Sequence, residues 1–145
     1  MDQIKRRQEE IIEEFAVLDG DMEMTLDYIM DLGQELVSLP EESRIEDNIV
    51  KGCQSKVWLV ASLDDGRVNF KADSNTAITK GLVSLLVRVL SQSSPEDIMN
   101  AEIYFPSQIG MDRFIGTQRS NGFAAMIKQM KMYGVALAAK ESSHE

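Results

Sequence analysis

The sequence predicts an α+β fold, with a small three-stranded antiparallel sheet and helices packed on one face of it. Three observations predict it. Strand-type patterning is confined to residues 49–72. Helical periodicity fills the chain on either side of that stretch. The segment 77–90 is apolar almost all round, as a helix is when other elements cover it. Strands and helices segregated along a chain favour α+β over an alternating α/β arrangement.

The elements come in this order. Ile4, Ile11, Ile12, Phe15 and Leu18 fall at helical spacing in residues 3–18. Glu9, Glu10, Glu13 and Glu14 between them read as a solvated acidic face. Asp19-Gly20-Asp21 breaks the pattern, and Asp21 can cap the next helix. Residues 22–38 repeat the helical period through Met22, Leu26, Ile29, Met30, Gly33, Leu36 and Val37, and Pro40 ends it. Residues 41–48 are polar and read as a loop, and Ile49-Val50 supplies a short first strand. The period then changes. Val57–Leu63 is a β-type run, Asp64-Asp65-Gly66 is a turn, and Val68, Phe70 and Ala72 alternate with Arg67, Asn69 and Lys71, which makes a hairpin.

Asp73-Ser74-Asn75-Thr76 offers caps for a central helix from Ala77 to about Leu90. Ser94-Pro95-Glu96-Asp97 is a helix start with a Ser cap, Pro at the first position and acid in the first turn. Residues 111–115 form a further short turn. The final helix runs from about Asn121 to Lys140, with Phe123, Met126, Ile127, Met130, Tyr133, Gly134, Leu137 and Ala138 as its core stripe. Met22, Met30, Met126 and Met130 belong to core stripes, while Met24 and Met132 lie off them, on an exposed apolar patch.

At 145 residues the chain reads as a single domain, 1–145, with its core at about 11–138 and a frayed tail at 141–145. Its net charge of −9 argues against nucleic acid, because phosphate contact needs clustered cations. The most apolar stretch, Ile78 to Leu90, contains Lys80, Gly81 and Arg88 and is too short to span a bilayer, so no membrane partner is expected. No apolar run follows the charged N-terminus as a signal peptide requires, and a cytoplasmic, reducing location is expected. The single histidine, His144, lies in the tail, which argues against a Cys–His dyad and a His-based metal site. Gly81, Gly110, Gly116 and Gly122 are isolated and read as turns or close packing.

One residue carries the candidate chemistry. Cys53 is the only cysteine, so it forms no intrachain disulfide and no multi-cysteine metal site. A lone cysteine is most often a small buried hydrophobe. Here Gly52 precedes it, polar Gln54 and Ser55 follow, and Lys51 and Lys56 flank it as cations that favour a thiolate. It falls at a loop-to-strand junction, which holds a reactive group on a rigid base while leaving it reachable. Arg119 lies just before the final helix, where a cation faces the positive end of the helix dipole. It is either plain surface or a partner for a carboxylate or an anionic sulfur.

These segments together resemble the SufE family of cysteine-desulfuration proteins over roughly Ile11 to Ala138. Gly52-Cys53-Gln54-Ser55 followed by Val57-Trp58 is the most specific part. Asp73-Ser74 leading to Ile78 and Lys80-Gly81 fits as well. So do Pro95 with Asp97-Ile98, and Arg119-Ser120-Asn121-Gly122 before Met126-Ile127. Family members carry an aromatic and a basic residue near the start of the second helix, and this chain departs from that with Asp21-Met22-Glu23-Met24.

The resemblance implies a non-enzymatic sulfur carrier. It takes persulfide sulfur from a pyridoxal-phosphate-dependent cysteine desulfurase, SufS-like or CsdA-like, and passes it to an iron–sulfur cluster scaffold. Cys53 is then the acceptor, with Gly52, Gln54, Ser55 and Arg119 supporting it. The carrier has no cofactor of its own and is a monomer or homodimer. The implied fold is a three-stranded sheet covered by helices, shared with scaffold proteins of the IscU type. The alternative is a single-thiol redox or peroxide-sensing protein, and a third reading is an interaction module with an inert cysteine. For a carrier, the Cys53 sulfur is expected to turn inward, shielded in an apolar pocket with its pKa raised by burial, on a loop that a partner draws out.

Overall fold

The computed structural model describes residues 2–143. Helix α1 spans Asp2–Ala16 and buries Ile4, Gln8, Ile11 and Phe15. Helix α2, Met22–Glu35, starts at Asp21, whose carboxylate accepts the Met24 N–H at 2.9 Å as the sequence suggests. It stops three residues short of the expected end. Leu36 is already extended, so Val37 stands in solvent at 85% exposure. Met22 is a second correction: it is exposed, not core, because α2 turns its Thr25–Ile29–Gly33 face inward and leaves its first turn outside. Met24 and Met132 are exposed as expected, and Met126 and Met130 are buried.

Two 3-10 turns, Glu41–Ser43 and Glu46–Asn48, lead to the sheet, which has two strands. Strand β1 is Val57–Asp64 and strand β2 is Arg67–Ser74, antiparallel, in a register from Val57 opposite Ser74 to Asp64 opposite Arg67. The two-residue connection Asp65-Gly66 has positive φ at both positions, as a type I′ hairpin needs. The expected third strand is absent. Ile49 makes a single bridge to Trp58, and Val50 donates to the Val57 carbonyl at 2.8 Å. A 3-10 turn ends at Asn48 and a turn begins at Lys51, so the backbone has room for one bridging pair and no strand.

Val68, Phe70 and Ala72 of β2 and Val57 and Leu59 of β1 are buried on the face covered by helices. On the opposite face Trp58 pairs with Asp73 across the strands. Asp73 is 1% exposed. Its carboxylate accepts from Arg44 at 2.5 Å, from the Leu39 N–H at 3.0 Å and from the Ser74 N–H at 2.9 Å. Lys80 stands 3.5 Å away. Burial pushes this carboxyl up, yet the two N–H groups, Arg44 and Lys80 outweigh it and hold its pKa below the ordinary value.

Helix α3 spans Ala77–Leu90 as the sequence predicts, and eight of its residues are buried. Helix α4, Pro95–Asn100, begins at Ser94, whose hydroxyl accepts the Asp97 N–H at 3.1 Å. Helix α5, Phe105–Ile109, has no counterpart in the sequence reading. Buried Gln8 of α1 holds its start: the side-chain oxygen accepts the N–H groups of Tyr104 and Phe105, and the amide donates to the Glu102 carbonyl. Nor is the acidic face of α1 wholly solvated, since Glu14 is paired with Arg88 and Tyr28.

Helix α6 spans Met111–Ser143, broken at Gly116 (φ 83°, ψ 170°). The short turn 111–115 is therefore real, and the long helix restarts at residue 117 rather than 121. It continues to Ser143, into the stretch expected to fray; His144 lies outside the described residues.

Candidate functional site

Cys53 lies in the loop 51–56 ahead of β1, as the sequence places it. The two ends of this loop are held differently. Its C-terminal end is tied to the residues before α3. Lys56 donates to Asn75 Oδ1 at 3.0 Å, and its carbonyl accepts from Ser74 Oγ at 2.8 Å and from the Asn75 N–H at 3.3 Å. Thr76 Oγ1 donates to Ser55 Oγ at 3.1 Å. On the N-terminal side Gly52 has φ +97°, a conformation side chains resist, and a Cβ there would sit 3.2 Å from Ala125 Cβ. Cys53 Sγ donates to the Gly122 carbonyl at 3.4 Å. A Cβ on Gly122 would stand 3.4 Å from that sulfur, so glycine lets the helix pass beside it.

The thiol is half-buried, and burial pushes its pKa up. Lys51 and Lys56, expected to favour the thiolate, are both exposed, and desolvation decides the direction of the shift. The sulfur lines a hollow of about 370 Å³. Leu82, Ile115 and Met126 form its buried floor, while exposed Thr117, Gln118 and Arg119 stand at its rim. The expected apolar pocket is thus a mixed one. Gln54 and Ser55 line the same hollow, and Gly52 lines a shallower one beside it. The four residues expected to support Cys53 thus all line the region around it.

Arg119 sits inside the first turn of the helix that restarts after Gly116, not ahead of it. Its charge stands near the positive end of the macrodipole. Among the described residues it has no ion-pair or hydrogen-bond partner. Thr79 and Leu82 of α3 and Ile115 and Gly116 of α6 belong to the hollow and were not found by sequence reading; a helical period marks Leu82 as core but not as a cavity wall. Ser120 Oγ is buried without a partner among the described residues and lines a second hollow across Ile115. No group of three or more His, Cys, Asp or Glu side chains converges among the described residues. No described helix is long and apolar enough to cross a membrane.

Residues 9–134 match the family model SufE, described as an Fe-S metabolism associated domain. The chain belongs to the SufE family. It is 33% identical over 128 residues to an uncharacterized SufE-like protein of Rhizobium meliloti (strain 1021), covering 85% of this chain and 91% of that one. Its fold is similar to the solution structure of a hypothetical protein from Thermus thermophilus, with a TM-score of 0.75 at 18% identity, covering 92% of this chain and 96% of that one. The SufE assignment gives the chain a role in Fe–S metabolism.

Proposed function

We propose that this SufE-family protein is a sulfur carrier. A pyridoxal-phosphate-dependent cysteine desulfurase passes the outer sulfur of its own cysteine persulfide to Cys53, and the carrier passes it on to an iron–sulfur cluster scaffold. The pyridoxal phosphate belongs to the partner. The observation that carries this reading is the placement of the chain's single thiol on a loop anchored at one end, with its sulfur in a hollow at the other.

In the transfer step the Cys53 thiolate attacks the partner's outer sulfur, and the partner's cysteine sulfur leaves as a thiolate. At rest burial disfavours the Cys53 thiolate. Turning the loop outward breaks one weak S–H···O bond and the packing of Gly52 on Ala125, while the Lys56 anchor holds. That costs on the order of 1 kcal/mol, which a partner interface supplies easily. Exposure then returns the thiol toward its ordinary pKa. Arg119, at the rim and without a partner among the described residues, receives the anionic sulfur or a partner carboxylate. A raised thiol pKa runs against the peroxide-sensing alternative, which needs a strongly activated thiolate. A cytoplasmic, reducing location is part of the proposal, since it keeps a lone thiol free.

The test is to incubate the protein with a cysteine desulfurase and cysteine, then take an intact mass. The expected result is one added sulfur atom, absent in Cys53→Ser. In Arg119→Ala uptake falls well beyond twofold with the melting temperature unchanged. Sulfur uptake by Cys53→Ser would overturn the assignment, because no other thiol exists in the chain.

A further inference from the structure

We infer that the hollow beside Cys53 binds a small thiol that also carries a carboxylate, of about the size of free cysteine, and that this thiol is a second acceptor for the sulfur held on Cys53. The inference rests on the sulfur-carrier reading for its setting. Three features of the hollow carry it.

The first is size. At about 370 Å³ the hollow holds roughly a dozen water-sized groups, against the one atom that a persulfide adds. It falls in the range of small-molecule sites. The second is charge. The chain has 24 acidic residues and a net charge of −9, yet among the described residues no Asp or Glu lines this hollow. Its one charged residue is Arg119, which has no partner among the described residues. An acidic protein that lines this cavity with no described carboxylate and sets at its mouth a guanidinium without a partner among the described residues favours an anion there, and a guanidinium fork fits a carboxylate best. The third is the order of the chemistry. The apolar floor of Leu82, Ile115 and Met126 suits a short alkyl thiol lying toward Cys53 Sγ, with its carboxylate left at the exposed rim beside Arg119.

The step balances without an oxidant. The acceptor's thiolate attacks the outer sulfur of the Cys53 persulfide. A new S–S bond forms as the bond from Sγ to the outer sulfur breaks, and both electrons of the broken bond leave on Sγ as a thiolate. The persulfide proton travels with the transferred sulfur: R–S⁻ + Cys53–S–SH → R–S–SH + Cys53–S⁻. The Cys53 thiolate then takes a proton from water, as its burial favours. Neutral and cationic thiols gain no anchor at Arg119, so the same hollow can slow bulk reductants while admitting one class of acceptor.

The experiment makes the Cys53 persulfide chemically, with inorganic polysulfide, so that it stands whether or not a desulfurase loads this protein. The loaded protein is mixed with L-cysteine, 3-mercaptopropionate, cysteamine or 2-mercaptoethanol, and sulfur loss is followed by intact mass. Each rate is divided by that of the same thiol on the persulfidated protein unfolded in urea, which removes differences in intrinsic reactivity. The two carboxylate thiols are expected to saturate with concentration and to react about tenfold faster than the other two. Arg119→Gln is expected to bring that preference below about threefold. Equal normalised rates for all four thiols, rates that never saturate, or a preference that survives Arg119→Gln would each overturn the inference. Failure of desulfurase loading would instead count against the carrier reading alone.

Discussion

Replacing Gly81 by alanine puts a methyl group where the structure has no room for one. A Cβ on Gly81 would lie 2.0 Å from the Ile29 carbonyl oxygen and 2.7 Å from both Ile29 C and Cγ2. The crossing is tight from the other side too, since a Cβ on Gly33 would lie 2.7 Å from the Gly81 nitrogen. Helices α2 and α3 therefore meet backbone to backbone at Gly33 and Gly81. A carbon resting against a carbonyl oxygen needs about 3.3 Å, so the axes must part by roughly 1 Å. The obstacle is main chain, which cannot rotate away. Alanine gains about 1 kcal/mol of helix propensity over glycine. Forcing apart a packed pair costs about 1–3 kcal/mol and more when backbone is involved. With main chain as the obstacle the cost lies at the top of that range or above it, so the net expectation is a loss of about 2 kcal/mol, or a melting temperature lower by roughly 5–8 °C for a chain of this length.

Thermal and urea unfolding followed by far-ultraviolet circular dichroism measure it. Gly134→Ala is the graded control, because its Cβ would meet Ile98 Cγ2 at 3.0 Å and the Pro95 carbonyl at 3.1 Å and should cost less. Gly81→Ala at or above wild-type stability, or less damaging than Gly134→Ala, would refute the reasoning. Function should register the change as well, since Thr79 and Leu82 flank Gly81 and line the Cys53 hollow.

Two more outcomes are expected. Asp73→Asn removes the charge facing Arg44 and Lys80 and should cost about 2–4 kcal/mol at pH 7 by urea unfolding. Because the folded carboxyl titrates below its ordinary 3.8, its contribution is complete above that pH and is lost as pH falls through the folded value, so wild type and variant should converge in acid. For Cys53, alkylation by iodoacetamide should rise with pH to a midpoint above the ordinary 9.0 in the folded protein and near it in urea; a folded midpoint below 9.0 would contradict the buried resting thiol. The same shift stabilises the fold below pH 9.0, and that contribution fades as pH rises through the folded value.

What the sequence made legible was whatever a short range of residues decides. Asp21 and Ser94 cap helices through their own next turns, so they could be read from a few letters. The hairpin and α3 show their periods without help from the rest of the chain. The misses have a common cause, which is partners distant in sequence. Helix α5 is five residues long, and its start is held by Gln8, 96 residues before Tyr104, so no local pattern announces it. Glu14 looks like one of several surface acids until the fold brings Arg88 to it. The third strand was lost because Ile49 is flanked by turns that a β-type dipeptide does not reveal. At the site, Cys53 and the four residues expected to support it all line one region. The thiol's pKa is raised, as an inward-turned sulfur implies, and not lowered as Lys51 and Lys56 taken alone suggest. Counting nearby cations in the chain says nothing of the burial that outweighs them.

The stretch Asp73–Thr76 shows how such a site is built at a cost elsewhere. Read locally, its four polar residues are candidate caps for α3. In the fold none of them caps it through a side chain. Thr76 stands at the cap position with no side-chain bond to the helix, and its hydroxyl reaches Ser55 instead. Ser74 and Asn75 hold Lys56, and Asp73 is buried among Arg44, Lys80 and two backbone N–H groups. A side-chain cap is worth about 1 kcal/mol, which α3 forgoes. An apolar helix packed on its neighbours can bear that loss, since burial and not capping holds it. The side chains released from capping fix the base of the Cys53 loop while leaving its tip bound by one sulfur contact. A loop rigid at Lys56 and loosely held at Gly52 can present its sulfur to another molecule without unravelling strand β1, which begins one residue later.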